Sequence, residues 1–522
     1  MKIITGRKFV FLIAMAFAAM MAHATLTPRS SAQQPNPNRP GRQRRNPQPE
    51  PPIRPLEKFE HVIVIVQENR TPDNLFQGLC GPPFSMVSRC STKPGPGQYN
   101  IQTSNWLDDS SPGGTIQPTP IPLANNYDLD HSHTAWKGMC HLVGGVCKMD
   151  EAYRVGCSPM PNQKCPDKPQ FKFVQNSVNL SPYLQMATQY GWANYMFQTN
   201  QGPSFPAHQF LFGGTSAPTA EDDARGTYAS ENVGKAGIGT KGSAGCIADA
   251  KTRVLLIDAP GVETRKMYPC FEHQTMGDLI RGSLTWRYYT PTPGHIWTAP
   301  TAIQHICQSS GPGGKCTGPE WTSHVDLKPA DILRDITNCQ LRNVSWAIPT
   351  CKNSDHAKCT TPWGPSWVAA IVNAIGNSSR CDHNKGYWKN TAIFITWDDW
   401  GGWYDHEPPT FLPQPQGDYQ YGFRVPLIVV SAYTPKNHIN NVRHDFGSIL
   451  RFIQHNFGIE EGALKFADER SKTDLIGFFD LAMAPRQFQN IKAPKNAAFF
   501  LNDGTKGVGP DDDEQPGTPG PP

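Results

Sequence analysis

Three short runs of uninterrupted apolar residues stand out along the chain: His61-Val-Ile-Val-Ile-Val66, Thr391-Ala-Ile-Phe-Ile-Thr396 and Val425-Pro-Leu-Ile-Val-Val-Ser431. They are rich in β-branched residues and lack the alternation of a half-solvated strand. They therefore predict buried parallel strands, covered on both faces. Two other segments keep helical spacing. Pro365 to Ile375 ends at Gly376, and Phe446 to Phe457 carries Ile449, Leu450, Phe452, Ile453 and Phe457 largely on one face. Strands alternating with helices predict an α/β fold: a mostly parallel central sheet with helices on both faces. Trp286-Arg-Tyr-Tyr289 is a further strand-like run, and the Gly/Pro-rich stretches 80–125 and 216–262 predict surface loop insertions. No internal repeat interrupts the body at 57–502, which reads as one large domain.

The ends of the chain read differently. Lys2, Arg7 and Lys8 precede an apolar run from Phe9 to Ala22, and Ala22-His23-Ala24 has a small-x-small pattern, so 1–24 predicts a secretory signal peptide. The run is shorter than a membrane span requires. Losing its three cations would take the formal charge from +4 to +1. Residues 25–56 carry six arginines and one glutamate among many prolines, a basic leader that cannot bury a core, and 503–522 is an acidic Gly/Pro-rich tail. The body between is close to neutral, which argues against nucleic acid as a partner. All 14 cysteines follow the signal segment, several of them close together: Cys80/Cys90, Cys140/Cys147, Cys157/Cys165 and Cys307/Cys316. In an exported chain an even count predicts disulfides stapling the loops. No pair has the two-residue spacing of a zinc knuckle. The expected location is secreted or periplasmic, with at most peripheral membrane contact.

In open α/β sheets, ligands bind beyond the carboxyl ends of the strands. Gln67-Glu68-Asn69-Arg70 follows the first strand, and Trp397-Asp398-Asp399-Trp400-Gly401-Gly402 follows the second. One carboxylate, one amide and two adjacent carboxylates suit a hard divalent cation, and a cation would relieve the repulsion between neighbouring aspartates. The alternative is that these residues cap helices. Gln201-Gly-Pro-Ser204-Phe-Pro206 holds a serine in a stiff turn, where a helix start offers N–H groups to an anion. It is not the Gly-x-Ser-x-Gly elbow of serine esterases. Asp130-His131-Ser132-His133, Ser354-Asp355-His356 and Asp405-His406 are histidine–carboxylate clusters of the kind that bind phosphate oxygens or protonate leaving groups, and His295 is a further candidate with no motif behind it.

Taken in order, these segments resemble the bacterial phosphoesterase family, which contains phospholipases C and a class of acid phosphatases. The resemblance rests on the Glu68-Asn69-Arg70 signature, Asp130-His131-Ser132-His133 with Lys148-Met-Asp150, Gly202-Pro-Ser204-x-Pro206, and Trp346-Ala-Ile-Pro349 with Ser354-Asp355-His356. Trp397-Asp398-Asp399-x-Gly-Gly-x-Tyr-Asp405-His406-x-Pro408-Pro409 and Arg424-Val-Pro426 complete it. It implies an alkaline-phosphatase-like fold and one divalent metal ion held by Glu68, Asn69, Asp398 and Asp399. It further implies that Ser204 attacks phosphorus through a phosphoseryl intermediate, with His131 and His356 steadying phosphoryl oxygens or serving the leaving group. The expected partner is a small phosphate ester or a phospholipid head group. Phospholipase C members usually carry Thr at the nucleophile position and Asn-Arg after the next proline, whereas this chain has Ser204 and Ala207-His208. Those members also commonly carry twin arginines in the signal and further C-terminal domains, neither of which is read here. These departures favour the acid phosphatase branch. Thr71-Pro72 also replaces a frequent Ser-aromatic pair. A non-catalytic secreted surface-binding protein, suggested by the basic leader and the disulfide count, and an ordinary serine esterase are the competing readings.

Overall fold

β1 (His61–Gln67) runs through an eight-stranded sheet and is buried along its whole length. The other strands are β2 (Gly191–Phe197), β3 (Trp286–Tyr289), β4 (Val325–Asp326), β5 (Val344–Ala347), β6 (Thr391–Trp397), β7 (Leu427–Ser431) and β8 (His438–Asp445). Their spatial order is β4-β3-β5-β1-β6-β7-β2-β8. The computed structural model describes residues 55–504 except 236–243, 260 and 413–420. The signal segment 1–24, nearly all of the leader and the tail beyond 504 lie outside the described residues.

β1 pairs in parallel with β5 and β6, β3 with β5 and β4, and β2 with β8. Among the described strands of this sheet β7 alone is reversed, antiparallel to both β6 and β2. This corrects the expectation of a parallel strand at Val425–Ser431. An unbroken apolar run reports cover on both faces, which β7 has, and says nothing about direction.

The helices that matter for the site are α1 (His133–Cys140), α2 (Ser181–Gln189), α3 (Ser204–Gly213), α4 (Gly364–Gly376) and α5 (Phe446–Phe457). α5 starts at a capping box between Asp445 and Ser448 and stops at Gly458 in the left-handed region. The alternation along β6 shows that both sheet faces are covered. Phe394 meets Phe452 of α5 with ring centroids 4.9 Å apart. Trp397 is three residues on and so faces the other way, and it meets Tyr183 of α2 at 5.0 Å.

The stretch 216–262 is more than a surface excursion. Tyr228–Ala229, Gly234–Lys235, Thr252–Asp258 and Val262–Met267 form a second, antiparallel sheet, and Tyr228, Ala229 and Val254 are fully buried in the main core. The abundant glycine around these short strands masks them in the sequence. The disulfides are Cys80–Cys90, Cys140–Cys147, Cys157–Cys165, Cys246–Cys270, Cys307–Cys316, Cys339–Cys381 and Cys351–Cys359. Every cysteine is therefore paired and no thiolate is left for zinc. No helix among the described residues is long and apolar enough to cross a membrane.

The staples differ in the chain length they close, 42 residues for Cys339–Cys381 against 7 for Cys140–Cys147. Loop-closure entropy then predicts a loss of about 4 kcal/mol when both cysteines of the first pair become alanine, and about 2.5 kcal/mol for the second. Urea unfolding of the two double variants checks the order.

Candidate active site

β1 and β6 pair in register from His61 opposite Thr391 to Gln67 opposite Trp397. The next residue of each strand is a carboxylate, and Asp398 N–H donates to Gln67 O at 3.0 Å. Glu68 and Asp398 thus leave the same sheet edge side by side, both fully buried. Asn69 follows at φ +59°, a left-handed conformation that asparagine tolerates, and its N–H donates to Asp398 Oδ1 at 3.1 Å. Beyond Asp399 the chain turns through Gly401 (φ +62°) and Gly402 (φ +73°). A Cβ on Gly401 would lie 2.4 Å from Asn69 O, and one on Gly402 would lie 2.4 Å from Leu129 Cβ. Only glycine lets this turn lie against the Asn69 and His131 loops.

β2 runs parallel to β6 and delivers its own loop to the same edge. Pro203 caps α3, and Ser204 is its first residue. Ser204 Oγ donates to Asp399 Oδ2 at 3.2 Å, while Asp399 Oδ1 accepts the Gly401 N–H at 2.7 Å. The helix start offers fewer open N–H groups than expected. Pro206 has none, and Phe205 N–H donates to Asn232 Oδ1 at 2.9 Å. Asn232 comes from the 216–262 segment, which supports the serine turn directly.

His131 and His356 bracket Asn69. His131 Nδ1 donates to Leu129 O at 2.7 Å and His356 Nδ1 hydrogen-bonds Ala357 O. In the neutral rings both Nε2 atoms are then acceptors. The Asn69 amide nitrogen lies 2.9 Å from His131 Nε2 and 3.2 Å from His356 Nε2. Its oxygen lies 3.0 Å from Asp398 Oδ1 and 3.3 Å from Glu68 Oε2. Turning the amide over reverses the roles: its N–H groups would face the carboxylates and its oxygen two protonated imidazoles. Three buried oxygens this close, two of them on carboxylates, repel one another unless a cation or the turned amide intervenes. Asp398 Oδ2 also has no hydrogen-bond partner among the described residues. This donor set fits a divalent cation.

The structure adds a residue to that set. His208 Nε2 lies 3.4 Å from Glu68 Oε1 and 3.7 Å from Asp398 Oδ2, and all three residues are fully buried. Their potential ligand atoms lie within 4.8 Å of one another. Asp399 stands outside this trio, with Oδ2 turned to Ser204 and 4.0 Å from His131 Nε2. In the sequence His208 is marked only as part of Ala207-His208, the departure after Pro206, and not by its place four residues after Ser204. That spacing means a shared face once 204–213 is known to be helical.

The remaining candidates sit further out. His295 packs on Trp297 with ring centroids 5.4 Å apart, and Trp297 in turn stacks 6.3 Å from His208. His406 joins a different buried cluster: its Nδ1 pairs with Asp73 Oδ2 at 2.6 Å, and Asp405 accepts a two-pronged bond from Arg424 at 3.0 Å on each side. This cluster ties the Asp73 and Asp405 loops together. Arg70 has a similar task. Nε and Nη2 both donate to Asp355 O, at 2.9 and 2.7 Å, and so anchor the residue before His356.

The family model described as Phosphoesterase family matches residues 59–460. The chain belongs to that family. Phosphoesterase relatives include the hemolytic phospholipase C of Pseudomonas aeruginosa, 21% identical over 476 residues, covering 83% of this chain and 57% of the relative. The non-hemolytic phospholipase C of the same organism is 26% identical over 212 residues, covering 35% of this chain and 29% of the relative. The chain therefore spans little more than half the length of one relative and under a third of the other. A solved protein of the alkaline phosphatase superfamily from Vibrio parahaemolyticus aligns at 8% identity over 55% of this chain and 62% of its own, with a TM-score of 0.31, too slight a likeness to argue from.

Asp355 provides a pH test of the site's support. Its Oδ2 accepts from Tyr183 Oη at 2.8 Å and from Trp397 Nε1 at 3.1 Å. Burial pushes its carboxyl up to about 6, against the pull of Tyr183 and Arg70. The folded state holds this proton more tightly than the unfolded chain. The contribution is therefore full below the unfolded value near 4 and is lost as pH rises through about 6, a fall of about 3 kcal/mol. In Asp355→Asn that fall is expected to vanish, so chemical unfolding of both proteins between pH 4 and pH 7 should give diverging curves.

Proposed function

We propose that this chain is a secreted or periplasmic, metal-dependent hydrolase of phosphoric esters with Ser204 as its nucleophile. The observation that carries the reading is the convergence of Ser204, Asp399, Glu68 and Asp398 at one sheet edge, with Ser204 Oγ 3.2 Å from Asp399 Oδ2. Glu68, Asn69, Asp398 and Asp399 would hold the cation. Bound there, it would neutralise their charge, lower the pKa of the serine hydroxyl and offset the charge that builds on phosphorus in the transition state.

Asp399 Oδ2 is positioned to take the hydroxyl proton as Oγ attacks phosphorus and the ester oxygen departs. Phosphoserine at 204 results. Water then attacks that phosphorus, inorganic phosphate or a phosphorylated head group leaves, and the serine is restored. Once protonated at Nε2, the state that the turned Asn69 amide accommodates, His131 and His356 would steady phosphoryl oxygens or protonate the leaving oxygen. Complete burial of Ser204, Asp399 and His131 keeps the local dielectric low, which strengthens each of these charge interactions.

The acid phosphatase type is the favoured branch, on Ser204 and on Ala207-His208 where phospholipase C members have Thr and Asn-Arg. Cleavage of phospholipid head groups is the second reading, favoured by the relatives' names. Export is supported by the pairing of every cysteine.

Hydrolysis of p-nitrophenyl phosphate and of p-nitrophenyl phosphorylcholine tests both branches. The wild type is expected to cleave at least one of them. Ser204→Ala is expected to lower that rate at least a thousandfold, since a covalent nucleophile is lost. A chelator is expected to abolish the rate reversibly. Full activity in Ser204→Ala would overturn the nucleophile, and the preferred ester selects the branch.

A further inference from the structure

Glu68 and Asp398 each turn one oxygen toward Asn69 and the other toward His208. The Asn69 side is all oxygen. The His208 side is mixed, because His208 brings a nitrogen within 3.4 Å of Glu68 Oε1 and 3.7 Å of Asp398 Oδ2. Ligands bonded at about 2.0–2.2 Å in a tetrahedral arrangement lie about 3.4 Å from one another. The observed spacing is therefore that of ligand atoms around one ion. An imidazolium between the two carboxylates would make a plain ion pair with the same spacing, and the metal titration below separates the two.

Tyr288 bears on which ring nitrogen donates. Its hydroxyl donates its single proton to Trp297 O at 2.6 Å. The Tyr288 oxygen is left as an acceptor, 3.4 Å from His208 Nδ1. The ring therefore donates from Nδ1, as an imidazole bound to a metal through Nε2 does, and turns Nε2 toward the two carboxylates. Trp297, stacked against the His208 ring, holds its plane. An outer partner that fixes the tautomer and a neighbour that fixes the plane are the usual supports of a metal-bound histidine. α3 supplies the rest, since Ser204 and His208 are one helical turn apart on the same face.

We propose that His208 Nε2 is a nitrogen ligand of the metal centre, acting with Glu68 Oε1 and Asp398 Oδ2, and that it biases the site toward borderline transition ions over calcium and magnesium. This inference rests on the metal-dependent reading above and extends it to ion selectivity. All-oxygen sets suit calcium, magnesium and manganese, whereas an imidazole favours zinc, iron, cobalt or nickel.

The test uses full-length protein stripped with chelator, titrated with Co2+ and with Ca2+ by calorimetry. Proton NMR of the Co2+-loaded wild type accompanies the titrations. The wild type is expected to bind Co2+ and to display a hyperfine-shifted, exchangeable imidazole N–H signal from Nδ1. His208→Gln is expected to weaken Co2+ at least tenfold, leave Ca2+ within about twofold and erase that signal. Tyr288→Phe is expected to weaken Co2+ by a smaller factor. Equal Co2+ affinity in wild type and His208→Gln would overturn the inference while leaving a metal centre intact. Wild type that binds neither ion would overturn the metal-dependent reading itself. If His208→Gln fails to fold, the signal in the wild type decides: its absence from a Co2+-loaded sample overturns the inference.

Discussion

In-register pairing of β1 with β6 is the constraint on which the site depends. Gln67 lies opposite Trp397, so Glu68 and Asp398 emerge as neighbours at one edge of a sheet whose two faces are both covered. Burying two carboxylates together is costly unless their charge is met. Everything nearby can be understood as an answer to that cost: an amide with two usable orientations, an imidazole on the far side of both carboxylates, and a geometry that fits a cation.

The same edge receives Ser204 because β2 runs in the direction of β6. The reversed strand β7 makes this possible, since it lies between them and is antiparallel to both. The serine then begins a helix, and the helix carries His208 to the carboxylates one turn later. One short segment thus supplies both the hydroxyl and the imidazole. Its position is held by Asn232, which arrives from the smaller antiparallel sheet.

Around this centre the loops are fixed by buried cations rather than by regular structure. Arg70 binds the Asp355 carbonyl, and Arg424 binds Asp405 through both prongs of its guanidinium as well as the carbonyls of Asn100 and Asn194. Planar guanidinium groups can satisfy several acceptors at once, which suits them to pinning irregular backbone. The disulfides do comparable work at larger spacing, and every cysteine takes part.

The sequence by itself determined the parts that local pattern can encode. β1, β6 and α5 lie where unbroken apolar runs and helical spacing put them. The polar residues that follow β1 and β6 meet at one edge, and the four close cysteine pairs are bonded as neighbours. Ser204 heads a helix as its turn suggested. What only the tertiary structure decided depends on partners far apart in the chain. The direction of β7 was invisible because burial on two faces is the same for either direction. The pairs Cys246–Cys270 and Cys339–Cys381 need the folded path to bring them together. His208 lacked a signal as a ligand until its helix, the tyrosine at 288 and the carboxylates at 68 and 398 were assembled, and Asp405 and His406 were drawn into a structural clamp with Asp73. Periodicity is a property of a dozen residues, whereas a site is a property of registers between strands hundreds of residues apart.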